Sequence, residues 1–198
     1  MAAISAQLVK ELRDKTSAGM MDCKKALVES DGDLDKAIEF LRKKGLDTAK
    51  KRAGRATSEG TIQSYIHMGA KLGVMVEVSC ETDFVAKNED FIEFAKNIAM
   101  HIAASNPLAI NAEDVPEDVI EKEKEIYRAQ AREMGKPDAV IDKIVDGKLV
   151  KFMKENCLVD QPYVRDPDKT VADLLNELIA KIGENISIKR YARFQVGE

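Results

Sequence analysis

Residues 74–87 read Val74-Met75-Val76-Glu77-Val78-Ser79-Cys80-Glu81-Thr82-Asp83-Phe84-Val85-Ala86-Lys87, and this stretch decides the fold. Its first half alternates Val74, Val76, Val78 and Cys80 with other residues, which predicts a half-buried strand. A helix should follow, because Asn88 or Asp90 can cap it and apolar residues then recur at helical spacing, namely Phe91, Phe94, Ala95, Ile98 and Ile102. Thr82 to Lys87 must be the connection, and we expect it on the surface.

Phe84 is an aromatic residue in a segment that should be an exposed turn. One hypothesis is that its ring folds back and packs against the start of the following helix. The other is that Asp83 and Phe84 are held outward on a strand-to-helix corner to enter a partner, with the ring as an anchor. The local pattern is compatible with both hypotheses.

The composition is that of an ordinary globular protein, with 198 residues, 33% charged and 44% apolar. This length allows one full core and a small extra module. No apolar run approaches the roughly 18 residues of a membrane-spanning helix, and the N-terminus lacks the basic and apolar regions of an export signal. We therefore expect a cytoplasmic protein without a membrane partner.

Charge is unevenly distributed along the chain, whose net charge is −4. The first 55 residues carry 13 basic and 9 acidic side chains, so the remainder is acidic. A basic head could touch nucleic acid, but an acidic body argues against nucleic acid as the main partner.

The chain lacks the sequence patterns of common enzymes. There is no glycine-rich phosphate loop, no HExxH and no GxSxG. Three cysteines without CxxC spacing predict neither a disulfide framework nor a zinc site. A metal or thiol site could be assembled from His67, Cys80, Glu81 and Asp83, yet alternate strand residues face opposite sides, so Cys80 and Glu81 should point apart. We expect no cofactor, no metal and no covalent chemistry.

Three regions follow from the pattern along the chain. Residues 1–45 predict three short helices, the second preceded by Met20 and Met21 and the third ending at Gly45. In so small a bundle the two methionines are either core or an apolar contact surface, and the pattern leaves both open. Residues 46–59 form a basic, helical linker. Residues 60–198 form the core domain.

The core domain predicts an α+β fold. Thr61 to His67 and Val74 to Cys80 form a β-hairpin, and a closing strand after Gly183 carries one apolar face, made of Ile186, Ile188, Ala192, Phe194 and Val196. We expect these to make a small three-stranded antiparallel sheet covered by helices on one face. Residues 117–156 predict a projecting antiparallel helical hairpin. Gln161 to Pro167 predict an extended surface segment, and Thr170 caps the last helix.

Several segments together resemble one family, elongation factor Ts of bacterial or organellar type. They are Leu8 to Arg13 with Thr16 to Leu27, Glu81 to Asn88, Ile98 to Ser105, Lys181 to Ile186, and Arg193 to Glu198. These segments lie along nearly the whole chain in the family's order. The resemblance implies a guanine-nucleotide exchange factor whose partner is elongation factor Tu.

The resemblance also implies roles for individual residues. Residues 1–45 would be a ubiquitin-associated-like module that binds the partner's nucleotide domain through Leu12, Met20 and Met21. The intruding segment would be Thr82, Asp83, Phe84 and Val85, which enters beside the nucleotide site and displaces Mg²⁺ from the partner. The same contact would include His67, Ile182 and Gly183, and a further contact with a second domain of the partner would involve Tyr163, Val164 and Arg165.

The chain resembles the short form of this family, with one core half where longer members have two. The resemblance therefore implies a homodimer in a two-plus-two complex, and it leaves open whether His67 and Phe84 at one contact come from the same chain. Two other classes remain as alternatives: a dimeric adaptor whose head binds a protein helix or nucleic acid, and a metal or thiol enzyme.

Overall fold

A computed structural model describes residues 4–16 and 18–197 of the chain and has the expected α+β fold. The helices are α1 Ala6–Thr16, α2 Met20–Glu29, α3 Leu34–Arg52, α4 Asp83–Ala86, α5 Glu89–Ser105, α6 Glu117–Glu133, α7 Asp138–Asn156 and α8 Val171–Ile182. The strands are β1 Glu59–Ile66, β2 Leu72–Cys80, β3 Pro162–Tyr163, β4 Asp166–Thr170 and β5 Ile186–Gln195.

The predicted three-stranded antiparallel sheet is present, with strand order β1-β2-β5. A second sheet was not predicted: β3 pairs antiparallel with β4, and Pro162 lies opposite Thr170. The expectation of an extended surface segment at Gln161 to Pro167 is confirmed in part, since Gln161 and Tyr163 are buried but the other residues are exposed or half-buried. Pro162 is compatible with this pairing because it is the first residue of β3, a position where the missing N–H of proline is tolerated.

The chain divides into two compact units, the first made of residues 1–63, 76–97 and 173–189 and the second of the rest. Helices α1 to α3 in the first unit share a small core formed by Val9, Leu12, Cys23, Ala26, Leu27 and Ala37. The three predicted helices are thus confirmed, and the likeness of residues 1–45 to a ubiquitin-associated domain stays a prediction.

Helix α3 does not end at Gly45, as the sequence had suggested, but continues to Arg52. Gly45 is buried, and a Cβ built there would lie 3.7 Å from the Cβ of Ala180 on α8. The glycine therefore serves a close approach of two helices rather than a helix end. The helical character expected for the start of the basic linker is confirmed.

Three helices begin at side-chain caps that the sequence predicted. The hydroxyl of Ser5 accepts from the Leu8 N–H, and the carboxylate of Asp33 accepts from the Lys36 N–H. Between the two candidates for α5, Asn88 is the cap, because its Oδ1 accepts from the Asp90 N–H at 2.9 Å.

The second unit contains the expected helical hairpin. Helices α6 and α7 pack around Ala131, Ile141 and Val145, with Tyr127 and Ile144 beside them. Gly135 makes the turn between the helices with a φ of 68°. Among the described residues, no helix is long and apolar enough to cross a membrane.

Candidate functional site

The strand that leads to the corner at residues 80–83 is firmly buried. Val74, Val76, Val78 and Cys80 of β2 are all buried, which confirms the alternation expected from the sequence. The Cys80 thiol donates to the carbonyl oxygen of Thr82 at 3.2 Å, so the chain turns tightly around it. Burial raises the pKa of this thiol to about 11, and the nearby Glu184 carboxylate adds to the effect.

The segment after the corner is a single helical turn, α4, rather than an irregular connection. Thr82 caps it, with its hydroxyl accepting from the Val85 N–H at 3.5 Å. Asp83 pairs with Lys87 one turn later at 2.8 Å, and this hydrogen bond lowers the pKa of Asp83. Phe84 is 82% exposed, so the hypothesis that its ring packs against the start of α5 is wrong.

Glu184 holds the backbone at the start of α4. Its Oε2 accepts from the N–H groups of Glu81 and Thr82, each at 3.1 Å, and its Oε1 accepts from the Thr82 hydroxyl at 2.7 Å. Three donors on two consecutive residues thus bind one carboxylate from the α8–β5 junction. Ile182 and Gly183 directly precede this residue and are half-buried, with Gly183 ending α8 at a φ of 85°.

Glu81 makes the reciprocal connection. Its carboxylate accepts from the Asn185 N–H at 2.6 Å and lies 3.4 Å from the Arg55 guanidinium and 4.0 Å from that of Arg52. The Asn185 hydrogen bond, followed by Arg55, lowers the pKa of Glu81. Arg52 and Arg55 of the basic linker therefore face this carboxylate. Arg52 is half-buried, whereas Arg55, Lys50 and Lys51 are exposed, as the sequence suggested for this linker. Reasoning from sequence missed this role of both glutamates, although each lies within a segment of the family resemblance.

The N-terminal module presents two methionines to solvent. Met20 is 60% exposed and Met21 is 74% exposed at the start of α2, so they lie outside the module core. Leu12, the third residue expected at this contact, is fully buried in that core. Leu12 therefore packs inside the module, and of the three residues only Met20 and Met21 are accessible at its surface.

In the second unit, His67 is exposed and its Nδ1 lies 3.0 Å from the Tyr65 hydroxyl. Val164 and Arg165 are exposed between β3 and β4, whereas Tyr163 is buried against the ring of His101, with ring centroids 5.9 Å apart. Of the three residues expected at this second contact, only Val164 and Arg165 offer accessible side chains.

His101 is fully buried and held on both ring nitrogens. Its Nδ1 accepts from the Val164 N–H at 3.3 Å, so the Nε2 proton is donated to Gln161 Oε1 at 3.0 Å. The Gln161 amide in turn donates to the Glu155 carbonyl at 2.8 Å. Burial lowers the pKa of His101, which keeps the imidazole neutral.

The metal or thiol site considered from the sequence is not assembled. The buried Cys80 thiol is hydrogen-bonded to a backbone carbonyl, and the Glu81 carboxylate is occupied by Asn185. Within residues 4–16 and 18–197, no cluster of three potential metal-ligating His, Cys, Asp or Glu side chains occurs.

Exposed large apolar side chains on supported backbone are the usual anchors of protein–protein interfaces. Phe84 in α4 is such an exposed apolar side chain, and so are Met20 and Met21 in the N-terminal module. These features define a class of α+β protein equipped to bind another protein.

Comparison with known proteins identifies the family. The family model described as "Elongation factor TS" matches residues 2–198. Elongation factor Ts of Desulfosudis oleivorans is 65% identical over the full length of both chains, and that of Desulfotalea psychrophila is 68% identical over 98% of this chain and 99% of its own. That of Caldanaerobacter subterraneus subsp. tengcongensis is 64% identical over 98% of each chain. The chain belongs to the elongation factor Ts family.

Proposed function

We propose that this protein is the guanine-nucleotide exchange factor for elongation factor Tu in cytoplasmic translation elongation. The observation that carries the proposal is the exposure of Phe84 in a member of this family. Its side chain is 82% exposed and follows a turn that is held by hydrogen bonds. The protein binds the GDP complex of its partner through Met20 and Met21 and through the α4 segment. It promotes GDP release without covalent chemistry of its own.

Magnesium is central to how the partner holds GDP, because the ion bridges phosphate oxygens and a P-loop hydroxyl. Entry of Asp83 and Phe84 beside that site moves the surrounding loops and displaces the ion. Factor and nucleotide then each lower the other's affinity by the same ratio, as linkage requires. A thousandfold faster release needs about 4 kcal/mol off the dissociation barrier.

Each of the other proposed contacts with the partner is supported by a separate observation. Ile182 and Gly183 adjoin Glu184, which binds the start of the intruding segment, so we place them beside Thr82 and Val85 at the same contact. His67 is exposed and available. Val164 and Arg165 form the contact with a second domain of the partner, and the buried Tyr163 supports them from below.

We further propose that the active form is a homodimer in a two-plus-two complex. An apolar groove of about 360 Å³ supports this, because exposed Ile66, Met75, Phe194 and Val196 line it in the second unit. The sequence placed Phe194 and Val196 on one apolar face of the closing strand together with Ile186 and Ile188. In the single chain Ile186 and Ile188 are buried but Phe194 and Val196 are exposed, and a second copy would cover them. Phe194→Asp should convert a dimer to a monomer in sedimentation velocity, and a monomeric parent protein would refute the proposal.

The function is tested by release of a fluorescent GDP from elongation factor Tu with catalytic amounts of this protein. Strong acceleration that is lost in the double variant Asp83→Ala/Phe84→Ala supports exchange through α4. A folded protein that leaves the release rate unchanged would refute the exchange role. In that case an adaptor that binds without affecting nucleotide becomes the better description.

A further inference from the structure

We propose that Glu184 is the positioning residue of the intruding segment: it fixes residues 81 and 82 so that Phe84 is presented in one orientation. The inference rests on the exchange function proposed above. It assigns a specific task to a residue that makes no proposed contact with the partner.

A helix of one turn cannot hold its own geometry. Helix nucleation is unfavourable, and the first four N–H groups of any helix have no partner within it. Thr82 supplies one internal cap, at the long distance of 3.5 Å from the Val85 nitrogen. The orientation of α4 must therefore be imposed by contacts with the rest of the chain.

Glu184 supplies those contacts at Glu81 and Thr82, the two residues that precede α4 and set its direction. Its two oxygens accept from two consecutive backbone N–H groups and from the Thr82 hydroxyl, all within 3.1 Å. Because three hydrogen bonds hold two consecutive residues, the direction of the chain entering α4 is well defined. Rotation of the peptide unit between Glu81 and Thr82 would turn the Thr82 N–H away from the carboxylate and break that hydrogen bond.

The reciprocal bond from Asn185 to Glu81 completes a closed arrangement. Glu184 binds the backbone at 81–82, and the Glu81 carboxylate binds the backbone N–H of Asn185 at 2.6 Å. The Asn185 side chain also donates to the Arg55 carbonyl at 2.7 Å, which joins the end of the basic linker to the same place. The base of the corner is thus held from two other segments, whereas Asp83 and Phe84 are exposed.

Two substitutions distinguish the length of the Glu184 side chain from its negative charge. In Glu184→Gln the side chain keeps its length, its carbonyl oxygen can accept both N–H groups, and its amide can donate to the Thr82 hydroxyl. In Glu184→Asp the charge stays, but the side chain is one methylene shorter and cannot reach all three donors. Glu93→Ala, which removes an exposed carboxylate from α5, is the matched control.

The first readout is amide hydrogen exchange at Glu81 and Thr82 in the isolated protein. Glu184→Asp should speed exchange of these two amides about tenfold, whereas Glu184→Gln should change it less than about threefold, because the shorter side chain loses hydrogen bonds that the glutamine side chain keeps. The second readout is GDP release from elongation factor Tu. Glu184→Asp should lower the maximal release rate about tenfold with a smaller change in half-saturating concentration, and Glu184→Gln should restore it.

Three results would overturn the proposal: unchanged amide exchange in Glu184→Asp, equal loss in the Gln and Asp variants at equal thermal stability, or a better result with Asp than with Gln. The last would mean that the negative charge matters rather than the hydrogen bonds. If the parent protein fails to accelerate GDP release, the exchange function falls, and the amide-exchange readout still decides whether Glu184 fixes the corner.

Discussion

Replacement of Phe84 by alanine should abolish most nucleotide exchange without weakening the fold. A phenylalanine presents about 200 Å² of surface, so 82% exposure leaves about 160 Å² available to a partner. At about 25 cal/mol per Å², burial of half to all of that area contributes about 2 to 4 kcal/mol. Its loss should slow stimulated GDP release by roughly 30-fold to 1,000-fold. The free energy of unfolding should change by less than about 0.5 kcal/mol.

The assay is stopped-flow release of fluorescent GDP from elongation factor Tu over a range of factor concentrations. Met134→Ala is the matched control, because Met134 is 69% exposed and lies in none of the proposed contacts. It removes a similar amount of exposed apolar side chain and should leave the release rate unchanged. Thermal unfolding of both variants tests whether the fold is intact.

The reasoning would be refuted by a Phe84→Ala protein that is folded and still releases GDP at the parent rate. A loss shared equally by Met134→Ala would also refute it, since the effect would then not belong to the corner. A large fall in thermal stability in Phe84→Ala would mean that the ring packs within the protein.

Three further predictions concern the buried and exposed residues of the two units. Met20→Ala/Met21→Ala should weaken binding to elongation factor Tu in calorimetry at unchanged stability, whereas Leu12→Ala should lower the free energy of unfolding by about 2 to 5 kcal/mol. In the folded protein the pKa of His101 is lowered from 6.5, so on acidification the unfolded chain binds a proton before the folded protein does. The free energy of unfolding should therefore fall by up to about 1.4 kcal/mol per pH unit as the pH decreases below about 6.5. His101→Gln should remove this slope in urea titrations. The Cys80 thiol, with its pKa near 11, should resist alkylation in the native protein and react only on unfolding, as followed by mass spectrometry.

The periodicity of apolar residues predicted the strands and helices that bury a single face. Strand β2 and the stripes of the helices were recognisable because alternate or helically spaced residues face one core. It failed where a glycine or proline has a tertiary purpose. Gly45 suggested a helix end, but it allows α3 to approach Ala180. Pro162 suggested only an extended surface segment, and the pairing of β3 with β4 and the burial of Tyr163 were not predicted.

The sequence likewise predicted some features of the candidate site and not others. The sequence drew attention to Phe84 and to the two methionines, but it could not decide between buried and exposed positions, because that depends on neighbours distant along the chain. The hydrogen bonds of Glu184 join residues more than 100 positions apart, and those of His101 about 60. No local spacing encodes such pairs, so charged residues with structural tasks were taken for solvated ones.

Rigidity at the corner is required by the size of the effect that Phe84 can supply. Ordering the backbone of one residue costs about 1 to 2 kcal/mol, so ordering the four residues from Thr82 to Val85 on binding would cost about 4 to 8 kcal/mol. That cost equals or exceeds the roughly 4 kcal/mol available from burying the ring. A flexible segment would therefore yield to the partner rather than displace its loops. In the mechanism that we propose, Glu184 and Glu81 order the base of this segment before the partner binds, which would leave more of the binding free energy of Phe84 to weaken the hold on GDP.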